Sequence, residues 1–357
     1  MKYILSCVSL LAALMILMYP AEVGGAVGAA VSSCLEVMIP SLFGFTVLSV
    51  YLQSSGLYRV ALKPITVPLS RLMRLDEELC AVFVLGNIGG YPVGARLISE
   101  LVRQGRLSRD DGGRMLCFCY GSGPSFVISI VGQRVFGSAA AGAVIFAACF
   151  LSSLTIGCIV SRCGRRMNLK PADERYDLSS GCFVSAVMSA AKVMYTVCAM
   201  IVAFSVVTAA ADITGLSELA KGAFEQIGAG ASSRSILPSL LEISGIKGIF
   251  PSGGFAAPLC GALLAFGGVC VILQISAVTA GAVPLRGFLL SRLPAAALTA
   301  LLSCAAIPWC GREEAYMPTS GTLQAQIFSV NAGMSVCVMV MCGILLATEK
   351  RYKKSRS

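Results

Sequence analysis

Ala81–Gly94 reads AVFVLGNIGGYPVG, and Ile236–Gly254 reads ILPSLLEISGIKGIFPSGG. Both stretches are apolar enough to enter a membrane. Both also carry Gly, Pro and polar residues where an ordinary spanning helix has none. Backbone freed from helical hydrogen bonding is tolerated at membrane depth only where it faces protein or a water-filled cavity. Interrupted segments at matching places in two halves of a chain mark the binding site of a transporter. The fold expected is therefore all-α and polytopic, with about eight transmembrane helices and two re-entrant hairpins in two inverted repeats.

Composition agrees. Of 357 residues, 56% are hydrophobic and 13% charged, with a mean hydropathy of +0.81. Soluble domains carry about 25% charged residues. One membrane domain, 1–357, is expected. The net charge of +10 sits in short loops beside apolar runs, so membrane topology and anionic lipid head groups account for it. No basic patch with interleaved aromatics occurs, and no nucleic-acid partner is expected. The 16 Cys are scattered through apolar segments without a CxxC pair and behave as small hydrophobes. His is absent, which removes His-dependent triads and HExxH zinc sites. With no GxSxG elbow and no paired Asp inside a span, no enzyme activity, metal or cofactor is expected.

The spans are read at 4–20, 26–52, 114–132, 137–161, 182–211, 255–283, 293–310 and 326–348. The first is taken as retained rather than as a cleaved signal peptide. With the N-terminus inside, most of the 28 lysines and arginines fall in cytoplasmic segments, as the positive-inside rule demands. Arg286 and Arg292 are among those placed inside, and both termini are cytoplasmic. The count works only if Ala81–Gly94 dips in and returns to the same side. It divides the chain into a first repeat, 26–161, a cytoplasmic linker, 162–181, and an inverted second repeat, 182–310. A last span, 326–348, and a basic tail, 349–357, follow. Gly121-Ser-Gly-Pro-Ser-Phe-Val-Ile in one half aligns with Phe266-Gly-Gly-Val-Cys-Val-Ile in the other; chance likeness between Gly-rich apolar helices is the bland alternative.

Substrate-binding candidates follow from the interruptions. Asn87, Gly89, Gly90 and Tyr91 form the first tip, where Asn87 and Tyr91 offer hydrogen bonds; the alternative is a kinked buried helix. Glu242, Ser244, Lys247 and Ser252 belong to the second. A carboxylate at membrane depth costs about 2.5–3.5 kcal/mol even on insertion scales, so Glu242 needs a task and a partner. Lys247 pairs with it or snorkels outward. Gly121, Ser122, Gly123 and Ser125 allow an unwound start to a span with backbone donors suited to an anion, or close helix packing. Gln274 lies deep in a span and meets the solute or bridges two helices. Lys192 lies ten residues into another span. It faces an anionic solute, counters Glu242 or Glu36, or snorkels.

The stretch from Gly86 to Gly132 resembles the sporulation integral membrane protein family of the YlbJ/SpoVV type. The residues that carry the likeness are Gly90-Tyr91-Pro92-Val93-Gly94-Ala95 and Phe118-Cys119-Tyr120-Gly121-Ser122-Gly123-Pro124. Ile39-Pro40-Ser41-Leu42-Phe43, Leu241-Glu242-Ile243-Ser244-Gly245 and Phe266–Gln274 extend it to most of the chain. The resemblance implies a relation to nucleoside-recognition gate domains and, distantly, to nucleoside permeases. It implies a role in endospore formation, moving dipicolinic acid across the outer forespore membrane. A planar dicarboxylate would suit helix N-termini, backbone donors and a buried Lys. The expectation is thus a transporter or facilitator for a small, polar, anionic aromatic solute. Its partners are a small-molecule substrate, dipicolinate or nucleoside-like, and membrane lipids, with a homo-oligomer left open. A nucleoside permease and a non-transporting scaffold of a sporulation complex are the alternatives.

Overall fold

The computed structural model describes residue 10 and residues 13–170, 176–226, 228–251 and 254–309. Ser252, the span 326–348, the tail 349–357 and most of the span 4–20 lie outside the described residues. No strand occurs among the described residues: within a membrane a long apolar run satisfies its backbone inside its own helix. Five helical stretches are long and apolar enough to cross a membrane: Pro20–Ser54, Ala139–Arg162, Ser180–Ile213, Ala256–Thr279 and Arg286–Pro308. The chain is an all-α, multi-pass integral membrane protein.

The first long helix, α1 (Pro20–Ser54), contains one π-helical turn at Cys34–Met38, just before Pro40. An amphipathic helix, α2 (Lys63–Met73), follows. Then come α3 (Glu77–Gly89) and α4 (Tyr91–Arg103), broken at Gly90 with φ 90° and ψ 177°. Only glycine adopts that backbone readily, and Pro92, with no N–H to lose, starts the new helix. The two helices fold back on each other. A Cβ built on Gly86 would lie 2.9 Å from the Cα of Gly94, eight residues on. Glu78, in the first turn of α3, pairs through both oxygens with Arg106, just past α4, at 2.6 and 2.7 Å. The chain thus enters and leaves this hairpin on one face, and the Glu78 contact holds the Arg106 guanidinium above its ordinary pKa.

The stretch read as a span at 114–132 is two helices. α5 (Arg109–Leu116) ends, Cys117–Gly123 is irregular, and α6 (124–135) begins at Pro124. Glycines at 121 and 123 weaken the helix, and the Pro124 ring permits only a fresh start. α7 (Ala139–Arg162) completes this half.

The second half repeats the order of elements. α8 (Ser180–Ile213) is a long span, and α9 (Leu216–Gln226) is amphipathic. α10 (Ser233–Leu241) stops at Glu242, whose backbone is extended at φ −143° and ψ 123°, and a 3-10 turn covers Ile243–Gly248. This segment also doubles back: Ser235 Oγ donates to the Gly248 carbonyl at 2.6 Å, and Ser232 Oγ to that of Phe250 at 3.2 Å. The stretch read as a continuous span at 255–283 is interrupted in its middle. α11 (Ala256–Phe266) and α12 (Gly268–Thr279) meet at Gly267 and Gly268, with φ of 83° and 78°. α13 (Arg286–Ser303) closes the half, starting earlier than the 293 read from the sequence.

The packing pairs the halves. α1 lies against α8, and α7 against α13. α4 of the first hairpin packs on α12, while the 3-10 turn of the second packs on α6. Each hairpin therefore contacts the interrupted helix of the opposite half.

Candidate functional site

Within each half, the hairpin turn also rests on the break that follows it in sequence. A Cβ on Gly121 would lie 2.6 Å from Asn87 Oδ1, and one on Gly123 would lie 3.1 Å from the Ile88 carbonyl. In the second half, a Cβ on Gly268 would lie 3.2 Å from the Ser239 carbonyl and 3.4 Å from the Ile243 nitrogen. Small residues are needed at both breaks because backbone meets backbone there.

Both hairpin turns and the first break line one inner cavity of about 40 Å³, and the helix that follows the second break reaches it. Gly89, Gly90 and Tyr91 come to it from the first hairpin, and Ser122 and Gly123 from the first break. Glu242 and Ile243 come from the second hairpin, and Gln274 from α12. Val193, Val197 and Ile201 of α8 and Met38, Leu42 and Thr46 of α1 complete the wall. The helices α4 and α6 both start at this wall, so two helix N-termini, each worth about half a positive charge, adjoin it.

A much larger space, about 570 Å³, opens beside it. Glu22, Ala26 and Ala30 of α1 line this vestibule, with Ser205, Thr208 and Asp212 of α8 and Ser244, Gly245 and Lys247 of the second hairpin. Glu242 and Ile201 belong to both spaces. Along α8 the vestibule runs from Asp212 to Ile201, roughly 16 Å at 1.5 Å per residue. Glu242 stands at its floor.

Glu242 is 8% exposed. Its Oε1 accepts from the Ser244 backbone N–H at 3.0 Å, and its Oε2 accepts from the Ser244 hydroxyl. The ion pairs among the described residues are Arg106–Glu78, Arg114–Asp111, and Glu218 with Lys221 and Arg234. Neither Glu242 nor Lys247 takes part in one. The Glu242–Lys247 pair weighed from the sequence does not form, because the 3-10 turn sends Lys247 to the exposed side of the vestibule.

The remaining candidates divide. Gln274 is buried at the inner cavity and its Nε2 donates to Cys270 Sγ at 3.3 Å. Asn87 is buried behind the tip, where its Nδ2 donates to the carbonyls of Phe83 and Phe118 at 2.9 and 3.4 Å. It holds the unwound stretch rather than facing the cavity. Tyr91 lines the cavity with its hydroxyl given to the Leu264 carbonyl at 2.7 Å. Gly121 is buried against Asn87, and Ser125 is half-buried in the first turn of α6, off the cavity wall. Lys192 is exposed on α8, lines neither space and has no ion pair with Glu242 or Glu36. The buried stripe of α8 runs Ala186, Ala190, Val193, Val197 and Ile201, and residue 192 falls outside it.

One residue placed in a cytoplasmic segment belongs instead to the interior. Arg292 is 3% exposed, within α13. Its Nη2 donates to the Cys117 carbonyl at 2.6 Å, its Nη1 to that of Ala265 at 3.2 Å and its Nε to that of Phe288 at 3.3 Å. Its guanidinium lies 4.2 Å from the centre of the Tyr120 ring and 4.6 Å from that of Phe288. The Tyr120 hydroxyl in turn donates to the Phe266 carbonyl at 3.1 Å. Cys117 and Ala265 stand at the C-terminal ends of α5 and α11, so two helix ends of about −0.5 charge each offset the one buried cation. Arg292 thus ties the first break to the second. The sequence signal was an arginine six residues inside a helix that begins at Arg286; cutting the span after the charge hid it.

Comparison with known proteins gives one informative likeness. Over 134 residues the chain is 31% identical to the sporulation integral membrane protein YlbJ of Bacillus subtilis (strain 168), covering 37% of this chain and 32% of the relative. The match therefore spans about a third of that protein's length. The resemblance to sporulation integral membrane proteins drawn from the motif residues is shown, for that share of the chain. No family model and no solved structure matches.

Proposed function

Taking the chain as a relative of the sporulation integral membrane proteins, we propose a transporter for a small polar aromatic solute, dipicolinic acid, in the outer forespore membrane. The observation that carries this reading is the meeting of both hairpin turns and the first helix break at one cavity, with the vestibule leading down to it. Ordinary bundles have no reason to collect three interruptions at one cavity; a solute that must be held by backbone groups supplies one. The recurring order of span, amphipathic helix, hairpin, interrupted helix and span supports the reading of two inverted repeats, 26–161 and 182–310. The basic ends of α4, α5 and α7, gathered where the first hairpin enters, support its re-entry from the cytoplasm. On that orientation the vestibule opens to the opposite side. The inner cavity is far smaller than the solute, so passage requires the hairpins to part, as alternating access demands.

A second reading has an observation of its own. The vestibule wall bears Glu22, Asp212 and Glu242 against Lys247 alone. An uncharged, nucleoside-like solute meets less repulsion there than a dianion. Uptake by proteoliposomes decides between them. Labelled dipicolinate should enter and exceed uridine; uridine entering instead would favour the nucleoside reading, and entry of neither would favour a scaffold.

A further inference from the structure

A buried carboxylate stands where the vestibule meets the inner cavity, and it forms no ion pair among the described residues. At membrane depth an ionised glutamate is costly unless it is paired. The groups facing it are few. Ser244 gives it two hydrogen bonds, and Lys247, on the same segment, reaches it only through its field. From the packed elements the Cys34 and Cys270 thiols feel its charge, while Glu22 and Asp212 stand higher on the vestibule wall. All of these apart from Lys247 are neutral or acidic, so none neutralises it.

We propose that Glu242 is a proton-binding site loaded from the vestibule, and that this proton is the ion coupled to solute movement. The coupling rests on the transporter reading above; the proton site does not. A vestibule proton adds to one carboxylate oxygen and converts the anion to a neutral acid. Its release on the other side restores the charge, so each cycle carries one proton with the solute. Protonation also removes the negative charge that an anionic solute would meet at the vestibule floor. A metal cation is the poorer occupant. It needs several oxygen ligands, and no group of three His, Cys, Asp or Glu able to hold one occurs among the described residues. Met38, Leu42, Val193, Val197, Ile201 and Val271 give the inner wall a large apolar share.

Infrared spectroscopy of the purified full chain in lipid tests the site. The protonated-carboxyl C=O band should be present at neutral pH, shift in D2O, and be lost in Glu242→Gln. Glu242→Asp, which keeps a carboxyl, should retain a band and guards against a folding defect in the first variant. No such band near neutral pH, or one untouched by both variants, overturns the proposal. In proteoliposomes, an inward proton gradient should drive dipicolinate about tenfold above equilibrium per pH unit for one proton, and Glu242→Gln should abolish that drive. Accumulation driven by sodium and indifferent to pH overturns the coupling. A band that behaves as expected, with no counterflow exchange by the wild type, would instead remove the transport reading and leave the proton site standing.

Discussion

Arg292→Leu should lower the stability of the detergent-solubilised protein by roughly 2–4 kcal/mol, read by titration with a denaturing detergent. The arithmetic starts from what the guanidinium holds. It satisfies carbonyls at the C-terminal ends of α5 and α11, which belong to opposite halves of the chain. An orphaned buried acceptor costs about 1–3 kcal/mol in water-soluble proteins, whereas interhelical hydrogen bonds in membranes average about 0.6 kcal/mol. The Ala265 carbonyl is orphaned, the Cys117 carbonyl keeps only the Ser291 hydroxyl at 3.4 Å, and the stacking on Tyr120 is lost, which puts the sum between those limits. Arg292→Lys should recover part of the loss. An ammonium keeps the charge, but it lacks the planar fork that reaches two carbonyls while lying over a ring. A variant with leucine within 0.5 kcal/mol of wild type would show that the breaks hold themselves.

Gly94→Ala should be worse, costing about 3 kcal/mol or preventing recovery of folded protein. The added methyl would overlap the Cys119 carbonyl and lie 3.3 Å from the Cα of Gly86. Overpacking usually costs about 1–3 kcal/mol, and that range assumes side chains able to move aside. Here both obstacles are backbone, one in the opposing arm of the hairpin and one in the unwound stretch. Gly44→Ala is the matched control. Gly44 is also in a membrane helix, and its methyl would meet nothing within 4 Å. It should leave stability unchanged or raise it by up to about 1 kcal/mol through helix propensity. Monodisperse yield and thermal unfolding of the two variants check the contrast; equal behaviour would deny the tight hairpin.

The same contrast explains what could be read before the fold was known. Interruptions are local events: Gly90-Tyr91-Pro92 and Gly121-Ser122-Gly123-Pro124 announce theirs, because glycine and proline act on their own backbone. Which interruptions face one another is not local. Asn87 and Tyr91 were legible as polar groups at a tip, but their partners, Phe118 and Leu264, come from elsewhere in the chain. Lys192 could have been placed by helical phase, since Ala186, Ala190, Val193 and Val197 define a buried stripe that excludes it. Arg292 was hidden by a rule that serves well elsewhere. Charges normally bound spans, but two helix C-termini can neutralise one inside, and nothing near Ser291-Arg292-Leu293-Pro294 shows that those termini will arrive.

Transport by this chain requires one solute to be held where the two hairpins meet. Single cysteines at Ser205, on the vestibule wall, and at Thr46, on the inner wall, placed in a chain freed of its other thiols, report that directly through alkylation in proteoliposomes. Dipicolinate should slow the reaction at both positions together, with the same concentration dependence. Labelling at both sites that is indifferent to dipicolinate and to uridine alike would contradict it.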